Sequence, residues 1–206
     1  MRNTSVSALL VVLLNAAWYL VALALVLTTC LVAASPWMQP GPNTSIDIPV
    51  SFDVDTRAVQ VSAPALGIGA AEIQHVRGSM SFMPPSRASV TGPMAIVAMM
   101  LALVLWGLGQ LIAVFRTLRD RQPFVPDNAI RIRRIGYVVI VGELARAGMV
   151  FFANSYAMNH FSANGLRFDA RPDINLFAIV HGLIILAIAE VFRAGTRLHE
   201  DQSLTI

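Results

Sequence analysis

The chain alternates between four long apolar segments and shorter polar connections. Apolar residues dominate from about Ser7 to Ala34, from Met94 to Phe115, from Ile135 to about Tyr156 and from Ile174 to Phe192. Each segment reaches the roughly 20 residues that a helix, rising about 1.5 Å per residue, needs to cross about 30 Å of hydrocarbon. A backbone inside lipid must satisfy its own hydrogen bonds, so each segment is predicted to be a helix.

The connection between the first two segments has a different pattern, which is typical of β-structure. In "SIDIPVSFDVD" apolar and polar residues alternate, which predicts a half-buried strand with one face formed by Ile46, Ile48, Val50, Phe52 and Val54. The following "DTR" predicts a turn into a second strand at "AVQVSA", and therefore a hairpin. A third strand is predicted in "EIQHVRGSMSFM", where one face carries Val76, Met80 and Phe82, and "GIGAAE" at Gly67 to Glu72 is predicted to be a loop between strands.

These patterns predict an α-helical integral membrane protein with four transmembrane helices and a small β-rich extracytoplasmic insertion between helices 1 and 2. The first apolar stretch exceeds the roughly 7 to 15 residues of a signal-peptide core, which favours a retained helix. The predicted parts are an N-terminal tail with the first helix (1–34), an extracytoplasmic β-rich domain (35–92), the second helix (93–117), an arginine-rich cytoplasmic loop (118–134), the third helix (135–157), a short extracytoplasmic loop (158–173), the fourth helix (174–193) and a cytoplasmic tail (194–206).

Composition agrees with a membrane protein. Of the 206 residues, 56% are hydrophobic and only 13% are charged, and the mean hydropathy is +0.64, which is too apolar for an ordinary soluble domain. All fifteen basic residues are arginine, a usage associated with GC-rich bacterial genomes. Because the arginines cluster beside apolar segments, they favour a bilayer with anionic headgroups over direct contact with nucleic acid.

The distribution of arginine predicts the orientation. With both termini in the cytoplasm, nine arginines lie inside and five outside, and three of those five fall in the long outer connection. Positive charge in short loops favours the cytoplasmic side. The predicted location is therefore the bacterial inner membrane, with both termini cytoplasmic.

The stretch "RQPFVPDNAIRIRRIG" forms the predicted cytoplasmic turn. Pro123 and Pro126 prevent the second helix from continuing, and Asp127 or Asn128 is expected to cap the next one. Arginines then lead into the apolar run, namely Arg131, Arg133 and Arg134. They either anchor the helix at the headgroups or form a surface for a protein partner.

Several polar residues lie within the apolar segments, where each is expected to have a partner or a purpose. Glu143 and Arg146 are three residues apart in one predicted helix and can pair. His181, Asn15 and Gln110 complete a candidate intramembrane polar layer. The layer either fixes helix packing through hydrogen bonds or relays protons and holds a small ligand.

Motifs for catalysis, metal binding and phosphate binding are lacking in the sequence. It contains no His-Glu-x-x-His, Gly-x-Ser-x-Gly or phosphate loop. No catalytic, cofactor-binding or metal-binding residues are predicted, and a non-enzymatic protein is expected. An intramembrane enzyme using Glu143, Arg146 and His181 remains an alternative hypothesis.

Two segments together resemble a known family. "PFVPDNAIRIRRIG" and the C-terminal "LAIAEVFRAGTRLHEDQSLTI" are similar to the small four-span bacterial membrane proteins of domain of unknown function 2975. Many members are encoded beside a very small helix-turn-helix regulator of the Cro type, which implies a membrane component that works with a DNA-binding protein. The residues expected to contact such a partner are Arg119, Arg121, Asp127, Asn128, Arg131, Arg133, Arg134, Glu190, Arg193, Arg197, Glu200, Leu204 and Ile206.

The leading hypothesis is thus a non-enzymatic inner-membrane sensor or docking platform that works with this small cytoplasmic regulator. The alternative is a small transporter or permeability factor built around Glu143 and His181. Four short helices with few ionisable groups make a narrow path, so transport would require a homo-oligomer.

Overall fold

Four long helices dominate the computed structural model, which describes residues 6–35, 37, 45–54, 61–63, 68–71, 76–83, 88–120, 125–162, 166–168, 170 and 172–203. The helices are α1 (Val6–Ala34), α2 (Ala88–Arg119), α3 (Pro126–His160) and α4 (Leu176–Ser203). All four are long and apolar enough to cross a membrane. The four-helix prediction is therefore confirmed, although α2, α3 and α4 extend beyond their apolar segments.

The chain divides into two compact units. The helical unit comprises Met1–Trp37, Thr91–Ala145 and Asn175–Ile206, and the sheet unit comprises Met38–Val90 and Arg146–Ile174. The helical unit therefore contains α1, nearly all of α2, the first part of α3 and α4. The sheet unit contains the strands and the second part of α3.

Apolar side chains cover the outside of the helices. Leu20 of α1 is 69% exposed, and Phe177 and Val191 of α4 are 79% and 70% exposed. Large exposed apolar patches on a protein mark surfaces that another apolar phase or a partner covers. This outward display on every helix is typical of surfaces that face lipid tails.

Glycines allow close approach between helices inside the helical unit. A Cβ atom at Gly107 of α2 would lie 3.0 Å from Cγ1 of Val138 on α3. A Cβ atom at Gly136 of α3 would lie 2.8 Å from Cδ2 of Leu186 on α4 and 3.1 Å from the carbonyl oxygen of Gly182. Small residues at such crossings let helix backbones pack closely in the absence of a hydrophobic driving force.

The sheet unit is built around β1 (Ile46–Val54), which pairs on both sides. Its antiparallel neighbours are β4 (Val76–Phe82) and β5 (Leu166–Phe168), in the order β4-β1-β5. The predicted hairpin between β1 and the next strand is therefore wrong. The strand β2 (Val61–Ala63) instead pairs with β3 (Ile68–Ala71) in a separate two-stranded sheet, so the predicted loop at Gly67–Glu72 contains a strand.

The sheet is also not a simple insertion between the first two helices, because β5 comes from the connection between α3 and α4. The predicted strand faces are confirmed for β4 and for the first half of β1, whereas Phe52 and Val54 are partly buried like Ser51 and Asp53. Ile46, Ile48 and Val50 are more buried than their polar neighbours on β1, and their positions pair with Phe82, Met80 and Gly78 of β4 in the register.

Two contacts secure the sheet to the second part of α3. The backbone N–H of Ser51 donates to Oδ1 of Asn154 at 2.9 Å, and Asn154 is 1% exposed. The Phe82 ring packs against those of Tyr156 and Phe161, with centroids 6.4 Å and 5.2 Å apart. The β1–β4 pair is thereby fixed to one helix face by both polar and aromatic contacts.

Candidate functional site

One end of the helical unit brings together the end of α2, the start of α3 and the last turns of α4. Asn128 of α3 is completely buried, and its Nδ2 donates to Oγ1 of Thr117 on α2 at 2.7 Å. The Thr117 hydroxyl donates in turn to the carbonyl oxygen of Val114 at 2.7 Å. This chain of hydrogen bonds fixes the first turn of α3 against α2.

The expected cap at Asp127 or Asn128 is wrong, because α3 already begins at Pro126. Proline suits the first helical position, since its missing N–H has no partner there in any case. Asp127 then lies in the first turn, where its negative charge interacts favourably with the positive end of the helix dipole. Asn128 contributes to packing between α2 and α3, and its buried side chain is not exposed to a docking partner.

The same end contains a groove between α3 and α4 of about 260 Å³. Its apolar part comes from small or aliphatic side chains, and its rim carries charge. We call it the arginine groove, and its lining residues are Pro126, Ala129, Ile130, Arg133, Ala189, Glu190, Arg193, Thr196 and Arg197. One of the lining residues, Ala189, also belongs to a buried hydrophobic cluster with Val114 and Ile132.

Positively charged side chains outnumber negatively charged ones in the lining of the groove. Glu190 Oε2 lies 2.6 Å from Nη2 of Arg193, one helical turn away. Among the residues that the structure describes, Arg133 and Arg197 have no carboxylate partner. With three arginines and one glutamate, the lining carries a net charge of about +2, which suits an anionic ligand.

Three other arginines at this end are engaged within the chain. Arg131 Nη2 lies 3.5 Å from Oδ2 of Asp127. Arg134 Nη1 donates to Oε1 of Gln110 at 3.5 Å, and Arg119 Nε lies 3.9 Å from the carboxylate of Asp120. The candidate docking residues Arg121, Leu204 and Ile206, and the side chain of Glu200, lie outside the described part of the chain.

Glu143, the acidic member of the candidate polar layer, is 7% exposed. Its Oε1 accepts a hydrogen bond from the backbone N–H of Asn175 at 2.6 Å. The Asn175 side chain accepts from the backbone N–H groups of Phe177 and Ala178, at 3.0 and 3.4 Å. Asn175 is therefore the N-cap of α4, and Glu143 satisfies the N–H of this cap residue.

The remaining candidates in the helical unit bond to other groups. Asn15 donates to the carbonyl oxygen of Val11 in its own helix at 2.7 Å. The His181 ring is exposed, and its Nδ1 lies 2.6 Å from the carbonyl oxygen of Phe177. Because α4 begins at Leu176, His181 occupies its second turn. A layer shared by these residues stays a prediction, and their observed bonds serve local helix geometry.

Arg146 belongs to the sheet unit, where sequence analysis missed its partner, Asp173. Its Nη2 donates to the backbone carbonyl oxygen of Asp173 at 2.6 Å, and its Nη1 lies 3.6 Å from the Asp173 carboxylate. The same carboxylate accepts from Arg77 of β4 at 2.7 Å. The signal available in the sequence was the segment "DINLF", in which an aspartate and a capping asparagine precede an apolar run.

Comparison with known proteins gives a family. Residues 72–206, about two thirds of the chain, match the family described as "Protein of unknown function (DUF2975)". The chain belongs to this family. The matched DUF2975 region contains α2, α3, α4 and the whole arginine groove, while α1 and β1 lie outside it. No curated protein and no solved structure matches the chain.

Proposed function

We propose that this DUF2975 protein is a non-enzymatic docking platform of the bacterial inner membrane, with both termini in the cytoplasm. Its arginine groove and the C-terminal tail bind a small cytoplasmic helix-turn-helix regulator. The sheet unit lies on the outer side and receives the signal that changes this binding. DNA contact belongs to the regulator, because this chain contributes no recognition helix.

Support for membrane insertion comes from the four helices with outward-facing apolar side chains. Support for the orientation comes from the arginines that gather where α2 ends, α3 begins and α4 ends. The positive charge of this end favours the cytoplasmic side.

One observation carries the docking proposal. Arg133 and Arg197 line a groove that also has apolar lining residues, and neither has a carboxylate partner within the described residues. Charge-assisted hydrogen bonds to an anionic partner would satisfy both guanidinium groups. The lining residues Ala129, Ile130 and Ala189 offer apolar contact beside that charge, which is the combination found at protein-binding sites.

The test is co-purification from native membranes in a mild detergent, using tagged wild type, the double variant Arg133→Gln/Arg197→Gln and a chain that lacks residues 198–206. Arg77→Gln is the control, because Arg77 is exposed but belongs to the sheet unit. Wild type and control should retain a small DNA-binding protein, and the other two forms should lose it. Equal recovery by all four forms, or no DNA-binding protein with any of them, would contradict the docking proposal.

A further inference from the structure

The depth of the arginine groove along α4 suggests which ligand occupies it when no protein partner is bound. Ala189 lies 13 residues after the helix start at Leu176, and Arg197 lies 21 residues after it. At about 1.5 Å per residue these positions are about 20 Å and about 32 Å along the helix. The hydrocarbon of a bilayer is about 30 Å thick, so the groove runs from the inner acyl region into the headgroup layer.

Along α4 the lining of the groove changes in the same direction, from Ala189 to Arg193 and Arg197. Ala129, Ile130 and Ala189 supply apolar surface, while Arg133, Arg193 and Arg197 supply charge. A lipid has an apolar acyl chain followed by a negatively charged phosphate, which matches the apolar and then positively charged lining. Basic pockets between membrane helices hold such headgroups.

The guanidinium groups differ in their readiness to bind phosphate. Arg193 is held by Glu190 at 2.6 Å. Arg133 and Arg197 have no carboxylate partner in the part of the chain that the structure describes. Guanidinium groups bind phosphate oxygens through paired hydrogen bonds, and two of them can hold one phosphate from opposite sides.

We infer that the arginine groove is a binding site for one anionic phospholipid, whose phosphate lies between Arg133 and Arg197. The acyl chain of this lipid leaves the groove beside Ala189, the lining residue that lies deepest on α4. This inference rests on the membrane insertion proposed above, but it does not require a cytoplasmic regulator. If the regulator uses the same arginines, the lipid and the regulator compete, and the lipid content of the inner leaflet sets how much regulator is bound.

The experiment uses the full chain reconstituted in nanodiscs of phosphatidylcholine that contain phosphatidylglycerol with the same acyl chains. Native mass spectrometry after gentle release counts the lipids that stay bound. Wild type should retain one phosphatidylglycerol in preference to phosphatidylcholine. The double variant Arg133→Gln/Arg197→Gln should bind it at least about tenfold more weakly, as expected for the loss of charge-assisted hydrogen bonds.

The matched control is Arg116→Gln/Arg119→Gln, which removes the same charge from the end of α2 but leaves the groove unchanged. This control should retain the lipid as wild type does. Equal retention by wild type and groove variant would overturn the inference, as would equal loss in groove variant and control. Binding of a poly-glutamate peptide, without selective lipid retention, would also overturn it and would assign the groove to a protein partner.

Failure of membrane insertion would be seen separately, because the protein would then be released from native membranes by alkaline carbonate. That result would contradict the proposed function itself. Retention in the membrane without selective lipid binding would contradict only the lipid site.

Discussion

The carboxylate of Glu143 accepts a hydrogen bond from the backbone N–H of Asn175 at 2.6 Å. A charged residue inside an apolar helix costs roughly 2.5 to 3.5 kcal/mol at the centre of a membrane, so it needs a partner. Here the partner is the residue that caps α4. The contact gives Glu143 a structural role at the start of α4, which favours the packing interpretation of this residue over a proton relay.

The first prediction concerns this contact. Glu143→Ala should lower the free energy of unfolding by about 1 to 3 kcal/mol, because it removes a hydrogen bond between a carboxylate and the backbone N–H of Asn175. Glu143→Gln should lower it by less, because the amide oxygen can still accept. Unfolding in mixed micelles, followed by tryptophan fluorescence, measures both. Equal stability of the Ala variant and wild type would contradict the structural role.

The second prediction concerns the hydrogen bond between Asn128 and Thr117. Thr117→Val should destabilise the protein by about 1 to 3 kcal/mol, because it removes the hydrogen bond that the buried Asn128 side chain donates to Thr117. Thr28→Val is the control, since among the described residues the Thr28 hydroxyl bonds only to the carbonyl oxygen of Ala24 in its own helix. Its effect should stay within about 0.5 kcal/mol. Similar losses for both valine variants would show that this contact does not fix α3 to α2.

The third prediction concerns the crossing of α3 and α4. A Cβ atom at Gly182 would overlap Ile140 and lie 3.2 Å from the carbonyl oxygen of Gly136. Gly182→Ala should therefore destabilise the protein by about 1 to 3 kcal/mol, as overpacking does.

Gly148→Ala is the control for Gly182→Ala. Gly148 is also helical, but a Cβ atom there would meet nothing within 4 Å. Alanine at this position should stabilise the protein by about 0.5 to 1 kcal/mol through helix propensity. The opposite signs should be visible in thermal unfolding. A stabilising Gly182→Ala would mean that the helices pack less closely than described.

The fourth prediction concerns the two arginines that share Asp173 in the sheet unit. The Arg77 side chain is 73% exposed, so Arg77→Gln should change the free energy of unfolding by no more than about 1 kcal/mol. Arg146 is less exposed and also donates to a backbone carbonyl oxygen. Arg146→Gln should therefore cost about 1 to 3 kcal/mol. Urea unfolding of the two variants in detergent should give this order, and the reverse order would contradict the described network.

The helices were predictable because each depends on a property local to its own residues. An apolar run of sufficient length predicts a membrane-spanning helix whatever its neighbours are, and the described residues include four helices that are long and apolar enough to cross a membrane. The face of β4 and the first half of β1 were predictable for the same reason, since alternation depends only on the strand itself. The family also followed from two local segments, and the match over residues 72–206 confirms it.

Strand pairing was not predictable because it depends on residues far apart in the chain. The partner Leu166–Phe168 of β1 lies more than a hundred residues away, beyond two helices. A turn signal at "DTR" favoured the nearest strand instead. The groove was not predictable for the same reason. Its arginines were predicted as docking residues, but nothing in the sequence indicated that Arg133 and Arg197 line one surface.

The most direct test of the proposed platform is to determine on which side of the membrane the arginine groove lies and on which side the sheet unit lies. In a Cys30→Ser background, single cysteines at Ser79 of β4 and Arg197 of α4 are treated with a membrane-impermeant maleimide in spheroplasts. The account predicts that position 79 is labelled in intact spheroplasts and position 197 only after lysis. Labelling of position 197 in intact spheroplasts would place the groove outside and contradict cytoplasmic docking.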